Sequence, residues 1–155
     1  MSIEDDVAFL EQVPTFAVLG RPALRILAIG AESKNIASGE VLFRAGDPAD
    51  AGYVIQEGSF SLKPEPPDSE QHGAIAGRGT LLGEFALFTG TMRGSTAVAL
   101  GAATVLRIPR SLFLKMLEGF PEAANQLRVY MSSRLDRTAS DIVRMRDAFN
   151  RQPET

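Results

Sequence analysis

The chain has 155 residues, 23% of them charged, a formal net charge of -3, a single histidine and no cysteine. These values favour one domain and exclude disulfides, thiolate chemistry and iron–sulfur ligation. His72 alone rules out a multi-histidine metal site, and the acidic balance gives no footprint for nucleic acid.

No apolar run reaches membrane-spanning length, and the acidic start MSIEDDVAFL lacks the basic opening of a signal peptide. The expectation is a cytoplasmic protein with neither a membrane nor a nucleic-acid partner. Residues 1–155 are read as a single domain in three parts: helices over 1–30, a β-roll over 33–109 and helices over 110–150.

Residues 4–30 predict helix with one break. Val7, Phe9, Leu10 and Val13 cluster before Pro14; Leu24, Ile26, Leu27 and Ile29 follow Pro22, a residue well tolerated in a first helical turn, and Gly30 is a natural stop. From Ser33 to Pro109 the runs shorten, glycines multiply and β-branched or aromatic residues alternate with polar ones. Strands are predicted near 33–37, 40–43, 52–57, 59–63, 73–77, 94–100 and 103–108, with turns at Gly39, Gly46-Asp47-Pro48, Gly58, Gly79 and Gly101. Many short strands joined by turns imply a sandwich or a closed barrel. The stretch Lys63 to Glu70 is polar and proline-rich, a surface loop that continues to a solvated His72.

From Ser111 the helical period returns. Leu112, Phe113, Met116 and Leu117 form a short apolar face ended by Gly119 and Pro121. A long helix is predicted from Pro121 to Phe149, about 29 residues or roughly 43 Å. Its stripe Met131, Leu135, Thr138, Ile142, Met145, Phe149 steps by 4, 3, 4, 3, 4, a heptad seam. Such a stripe suits a helix lying on its own barrel as well as one paired with a second copy; a helix of that length outruns a small domain's face, which favours a homodimer through this helix. Arg128, Arg134, Arg137, Arg144 and Arg146 are interleaved with Asp136, Asp141 and Asp147, the pattern of a solvated face.

The chemistry concentrates in Gly83-Glu84-Phe85-Ala86-Leu87 and Arg93-Gly94-Ser95-Thr96-Ala97. A glycine allows close backbone approach to a ligand. A short helix opening at Glu84 aims N–H groups at an anion. An arginine supplies a fixed-charge fork for phosphate, and the glutamate can accept from a hydroxyl. The set suits a small ligand carrying one phosphate and one nearby sugar hydroxyl.

These residues resemble the cyclic nucleotide-binding domain family. One block, Gly39-Glu40-Val41-Leu42-Phe43-Arg44-Ala45-Gly46-Asp47 with Tyr53-Val54-Ile55-Gln56-Glu57-Gly58, is similar to the family's strand-turn-strand scaffold; the other, Gly83 to Leu87 with Arg93, is similar to its phosphate-binding cassette, here 83–95. The resemblance implies a mainly β fold: an eight-stranded antiparallel β-roll, a double-stranded β-helix or jelly-roll, with N-terminal helices and a long C-terminal helix. It implies that Glu84 accepts from the ribose 2′-hydroxyl and Arg93 pairs with the cyclic phosphate. The backbone N–H groups of Phe85, Ala86, Gly94 and Ser95, beside Gly83, would complete the cradle.

Many members carry Thr or Ser where this chain has Gly94, with Ser95 one place on. A threonine there is associated with cGMP preference, so the implied ligand is cAMP, with cGMP the alternative. The last helix resembles the dimer helix of the catabolite activator proteins. That likeness implies a Thr138 contact to adenine, while Ala139 stands where a cross-subunit serine is found. The sequence predicts no DNA-reading module and no catalytic output, and leaves a downstream protein partner unknown.

Two other readings stand beside the sensor. A degenerate barrel serving as a ligand-free dimerisation or docking module would account for Gly94 and Ala139. A cupin-type metalloenzyme needs several inward histidines, which one histidine in a loop cannot supply.

Overall fold

The computed structural model describes residues 2–64 and 73–134. Three helices open the chain: α1 (Ile3–Leu10), α2 (Pro14–Ala17) and α3 (Arg21–Gly30). Ser2 caps α1: its hydroxyl accepts from the Asp5 N–H and the Asp5 carboxylate accepts from the Ser2 N–H, a reciprocal capping box. Pro14 and Pro22 both sit in first turns, where a missing N–H costs nothing. The expected single break in 4–30 is therefore two breaks, because Gly20 interrupts the run before α3 as well.

Ten short strands follow among the described residues, all paired antiparallel: β1 (Glu32–Ile36), β2 (Val41–Phe43), β3 (Pro48–Ala49), β4 (Ala51–Glu57), β5 (Phe60–Pro64), β6 (Ala74–Ala76), β7 (Leu81–Leu82), β8 (Thr91–Met92), β9 (Ser95–Ala99) and β10 (Ala103–Pro109). They form two four-stranded sheets, ordered β1-β10-β4-β7 and β2-β9-β5-β6, and the ribbon β3-β8. The fold is mainly antiparallel β with flanking helices, as expected.

The count differs from the eight strands implied. β3, β7 and β8 are two residues each, too short for alternation to register in the sequence. β7 runs into Gly83 and β8 into Arg93, so these unforeseen strands lead directly into the cassette's glycine and its arginine.

Period-two alternation divides the core in two. On β4, Val54 faces the helices with Leu106 and Ile108 of β10, against Leu10, Phe16, Leu24, Leu27 and Phe113. Ile55 and Val105 face the other way, into the roll with Phe60, Ala97 and Leu82. β4 is buried at six of its seven positions, which is why its sequence, AGYVIQE, does not alternate cleanly. After β10 come α4 (Arg110–Gly119) and a last helix described over 121–134. The seam residues beyond Met131 lie outside the described residues, as do Thr138, Ala139 and His72.

Candidate functional site

Gly83 is the pivot of the cassette. Its φ of +81° and ψ of 43° are left-handed, a conformation that glycine reaches without the Cβ penalty. The chain then turns into one 3₁₀ helix, Glu84–Leu87, closed by the Ala86 N–H donating to the Gly83 carbonyl at 3.1 Å. Leu87 is fully buried, whereas Phe85 stands 63% exposed; the first anchors the turn and the second forms its rim.

Arg93 is held from both sides of its backbone. Its N–H donates to the Asp47 carbonyl and its carbonyl accepts from Gly46, each at 2.8 Å. Thr96 locks the same 44–47 turn by accepting from the Ala45 N–H at 2.9 Å.

The Arg93 side chain is only 7% exposed. Its Nη2 donates to the Ala51 carbonyl at 2.8 Å. The guanidinium carbon lies 4.4 Å from the Phe43 ring centroid and 5.4 Å from that of Tyr53, an aromatic shelf for the cation. Its Nη1 is buried and, among the described residues, has no hydrogen-bond partner. Burial pushes its pKa below the ordinary arginine value, partly countered by Tyr53, Asp50 and Asp47. Among the described residues no carboxylate forms an ion pair with it. A desolvated cation with a free donor is costly unless an anion comes to it.

Gly83, Glu84, Phe85, Ala86, Arg93, Gly94 and Ser95 all line one cavity of about 440 Å³, within the roughly 300–1,000 Å³ of small-molecule sites. Seven of the eight residues expected from the sequence are thus brought together around it; Thr138, the eighth, falls outside the described residues. A Cβ added at Gly94 would meet nothing within 4 Å, so the missing hydroxyl there reflects residue identity and not crowding. The Ala86 N–H, already engaged by Gly83, is a weaker candidate donor than expected.

Glu84 departs most from expectation. Its Oε1 accepts from the Thr15 hydroxyl at 2.9 Å and from Arg134 Nη1. Hydrogen bonding and charge attraction to Glu84 raise the Arg134 pKa. Arg134, read from sequence as one more solvated arginine, instead ties the last helix to the cassette. Phe43, Tyr53 and Thr15 also escaped sequence reading. The first two lie within the scaffold block, whose role is easily taken for packing alone. Thr15 is 69 positions from Glu84, and no local pattern marks such a pairing.

Among the described residues, no group of three or more His, Cys, Asp or Glu could hold a metal, and no helix is long and apolar enough to cross a membrane.

The family model described as "Cyclic nucleotide-binding domain" matches residues 33–120. A cyclic nucleotide-binding-like protein from Brucella abortus superposes with a TM-score of 0.65 at 39% identity, over 74% of this chain and 98% of that one. The N-terminal domain of a transcriptional regulator from Streptomyces coelicolor gives a TM-score of 0.79 at 30% identity, over 86% and 94% of the two chains. The cAMP-dependent protein kinase type II regulatory subunit of Drosophila melanogaster is 33% identical over 97 residues, 63% of this chain and 26% of that protein. The chain therefore spans about a quarter of that curated relative's length. Fold, cassette and family match agree: the chain belongs to the cyclic nucleotide-binding domain family.

Proposed function

We propose that this chain is a regulatory module that binds a cyclic mononucleotide, cAMP in preference to cGMP, without catalysis of its own. The observation that carries the reading is the buried Arg93 guanidinium, with Nη1 unpartnered at the wall of a cavity that Gly83 and Glu84 also line. A cyclic phosphate has a single negative charge, and Arg93 would neutralise it through charge-assisted bonds worth about 1.5–3 kcal/mol each. Phe85, Gly94 and Ser95 would add backbone donors, with a smaller share from Ala86. Glu84 would accept from the ribose 2′-hydroxyl, and Thr138 remains the proposed contact to the base on the family resemblance.

Arg134 gives this module a route to its surroundings. Because it bonds the same carboxylate that would read the sugar, a ribose hydroxyl donating to Glu84 also changes the charge that the last helix holds. Such a ligand moves the helix only by its differential affinity for the two arrangements. The listener downstream would be a protein in the cytoplasm, and the heptad seam would make the assembly a homodimer.

Titration calorimetry with cAMP, cGMP and 5′-AMP tests the reading. The expected order is cAMP tightest, cGMP weaker and the doubly charged, uncyclised 5′-AMP weakest. Absence of heat from either cyclic nucleotide at millimolar concentration contradicts it. The second reading, a ligand-free docking module, draws on Glu84 being already engaged and on the hydroxyl missing at Gly94; it predicts that null result together with a stable dimer. Sedimentation velocity at micromolar concentration is expected to show a dimer on both readings, and a monomer removes the seam.

A further inference from the structure

Thr15 lies in α2, far from the cassette in sequence, yet it is 4% exposed and its hydroxyl donates to Glu84 Oε1 at 2.9 Å. A hydroxyl so buried needs an acceptor, and this one chose the carboxylate that lines the cavity. The two carriers are locked together by rings. Phe16, next to Thr15, is fully buried and its ring centroid is 6.1 Å from that of Phe113. Phe113 meets Phe88 edge-on at 5.5 Å, and Phe88 is the C-cap of the cassette turn. Thr15 and Glu84 thus sit on one packed frame. Both bonds to Glu84 fall on Oε1; among the described residues, Oε2 accepts none.

We propose that Thr15 is a positioning residue of the ligand site: it holds Oε1 of Glu84 so that Oε2 is presented, already oriented, to a ligand hydroxyl. The inference rests on the cyclic-nucleotide reading above and adds an N-terminal helix to the recognition of the sugar. A free glutamate would lose rotamer freedom on binding; here that ordering precedes the ligand. Arg134 alone is a poor substitute, since its side chain is 44% exposed and lies on a long flexible stem.

Calorimetry on the full chain, comparing wild type, Thr15→Val and Thr15→Ser against cAMP and 2′-deoxy-cAMP, tests this. Valine keeps the shape and removes the donor. Thr15→Val is expected to weaken cAMP about five- to tenfold, the order of one lost charge-assisted bond. It should leave 2′-deoxy-cAMP changed by less than about twofold, because that ligand has no hydroxyl to read. Thr15→Ser should restore cAMP binding. Equal losses for both ligands, no loss, or tighter cAMP binding by Thr15→Val would overturn the role of Thr15 while leaving the site reading intact. Failure of the wild type to bind either ligand overturns both. If Thr15→Val does not fold, Thr15→Ala carries the same comparison, with melting temperature as the control.

Discussion

Replacing Arg93 by methionine is expected to weaken nucleotide binding by at least about thirtyfold while leaving the unliganded protein nearly as stable as before. The two halves of that expectation have one cause. In the free protein the guanidinium is buried, one donor is unsatisfied and its pKa is depressed by burial. Methionine forfeits the bond to the Ala51 carbonyl and the stacking on Phe43, but it also removes a desolvated charge. No carboxylate among the described residues is orphaned by the change. Net stability should therefore move by no more than about 1 kcal/mol. With ligand, losing one partner of a buried charge pair costs about 2–5 kcal/mol, or roughly thirtyfold to a few thousandfold in affinity. Thermal denaturation with and without cAMP reads both halves: a near-unchanged melting temperature alone, and a much smaller ligand-induced rise. Large apo destabilisation with intact binding would make Arg93 a strut and not an anion receptor.

Gly83→Ala is expected to damage both stability and binding. The left-handed backbone at φ +81° costs an L-residue about 1–2 kcal/mol. The new methyl would also collide with Arg93 Nη1 and approach the Ala51 carbonyl to 3.3 Å. The guanidinium has to move, and with it the bond to that same carbonyl. The melting temperature should fall by about 3–8 °C on the usual scaling for a chain of this size, and cAMP affinity by at least about tenfold. Differential scanning calorimetry with a parallel titration checks it. Unchanged binding in a folded Gly83→Ala protein would mean that the Gly83–Arg93 contact has no bearing on the ligand.

Gly83 and Arg93 were legible in the sequence because the chemistry is compressed into a short segment: a turn glycine, a helix opening and a cation at fixed spacing. The β-roll was legible because turns at Gly39, Gly46 and Gly58 divide it, each with positive φ. The strands β7 and β8 were not, since two residues cannot display a period. Nor was Thr15, whose function depends on a contact across the fold. The bond from Arg134 to Glu84 is hidden in the sequence for a related reason. A helix surface rich in mixed charges looks solvated whichever arginine in it has found a distant acid, and only the packing of the last helix against the cassette singles this one out.

The same contrast orders the site physically. Arg93 is a buried cation that no carboxylate among the described residues pairs with, whereas Glu84 already accepts two hydrogen bonds. Phosphate capture would thus supply most of the affinity, and sugar reading through Glu84 would supply selectivity and the link to the last helix.

The most direct measurement is a crystal structure of the chain grown with cAMP. A phosphate oxygen is expected about 2.7–2.9 Å from Arg93 Nη1, the length of a charge-assisted bond, with the ribose hydroxyl on Glu84. A nucleotide bound elsewhere, or Nη1 still without an anion at saturating cAMP, would contradict it.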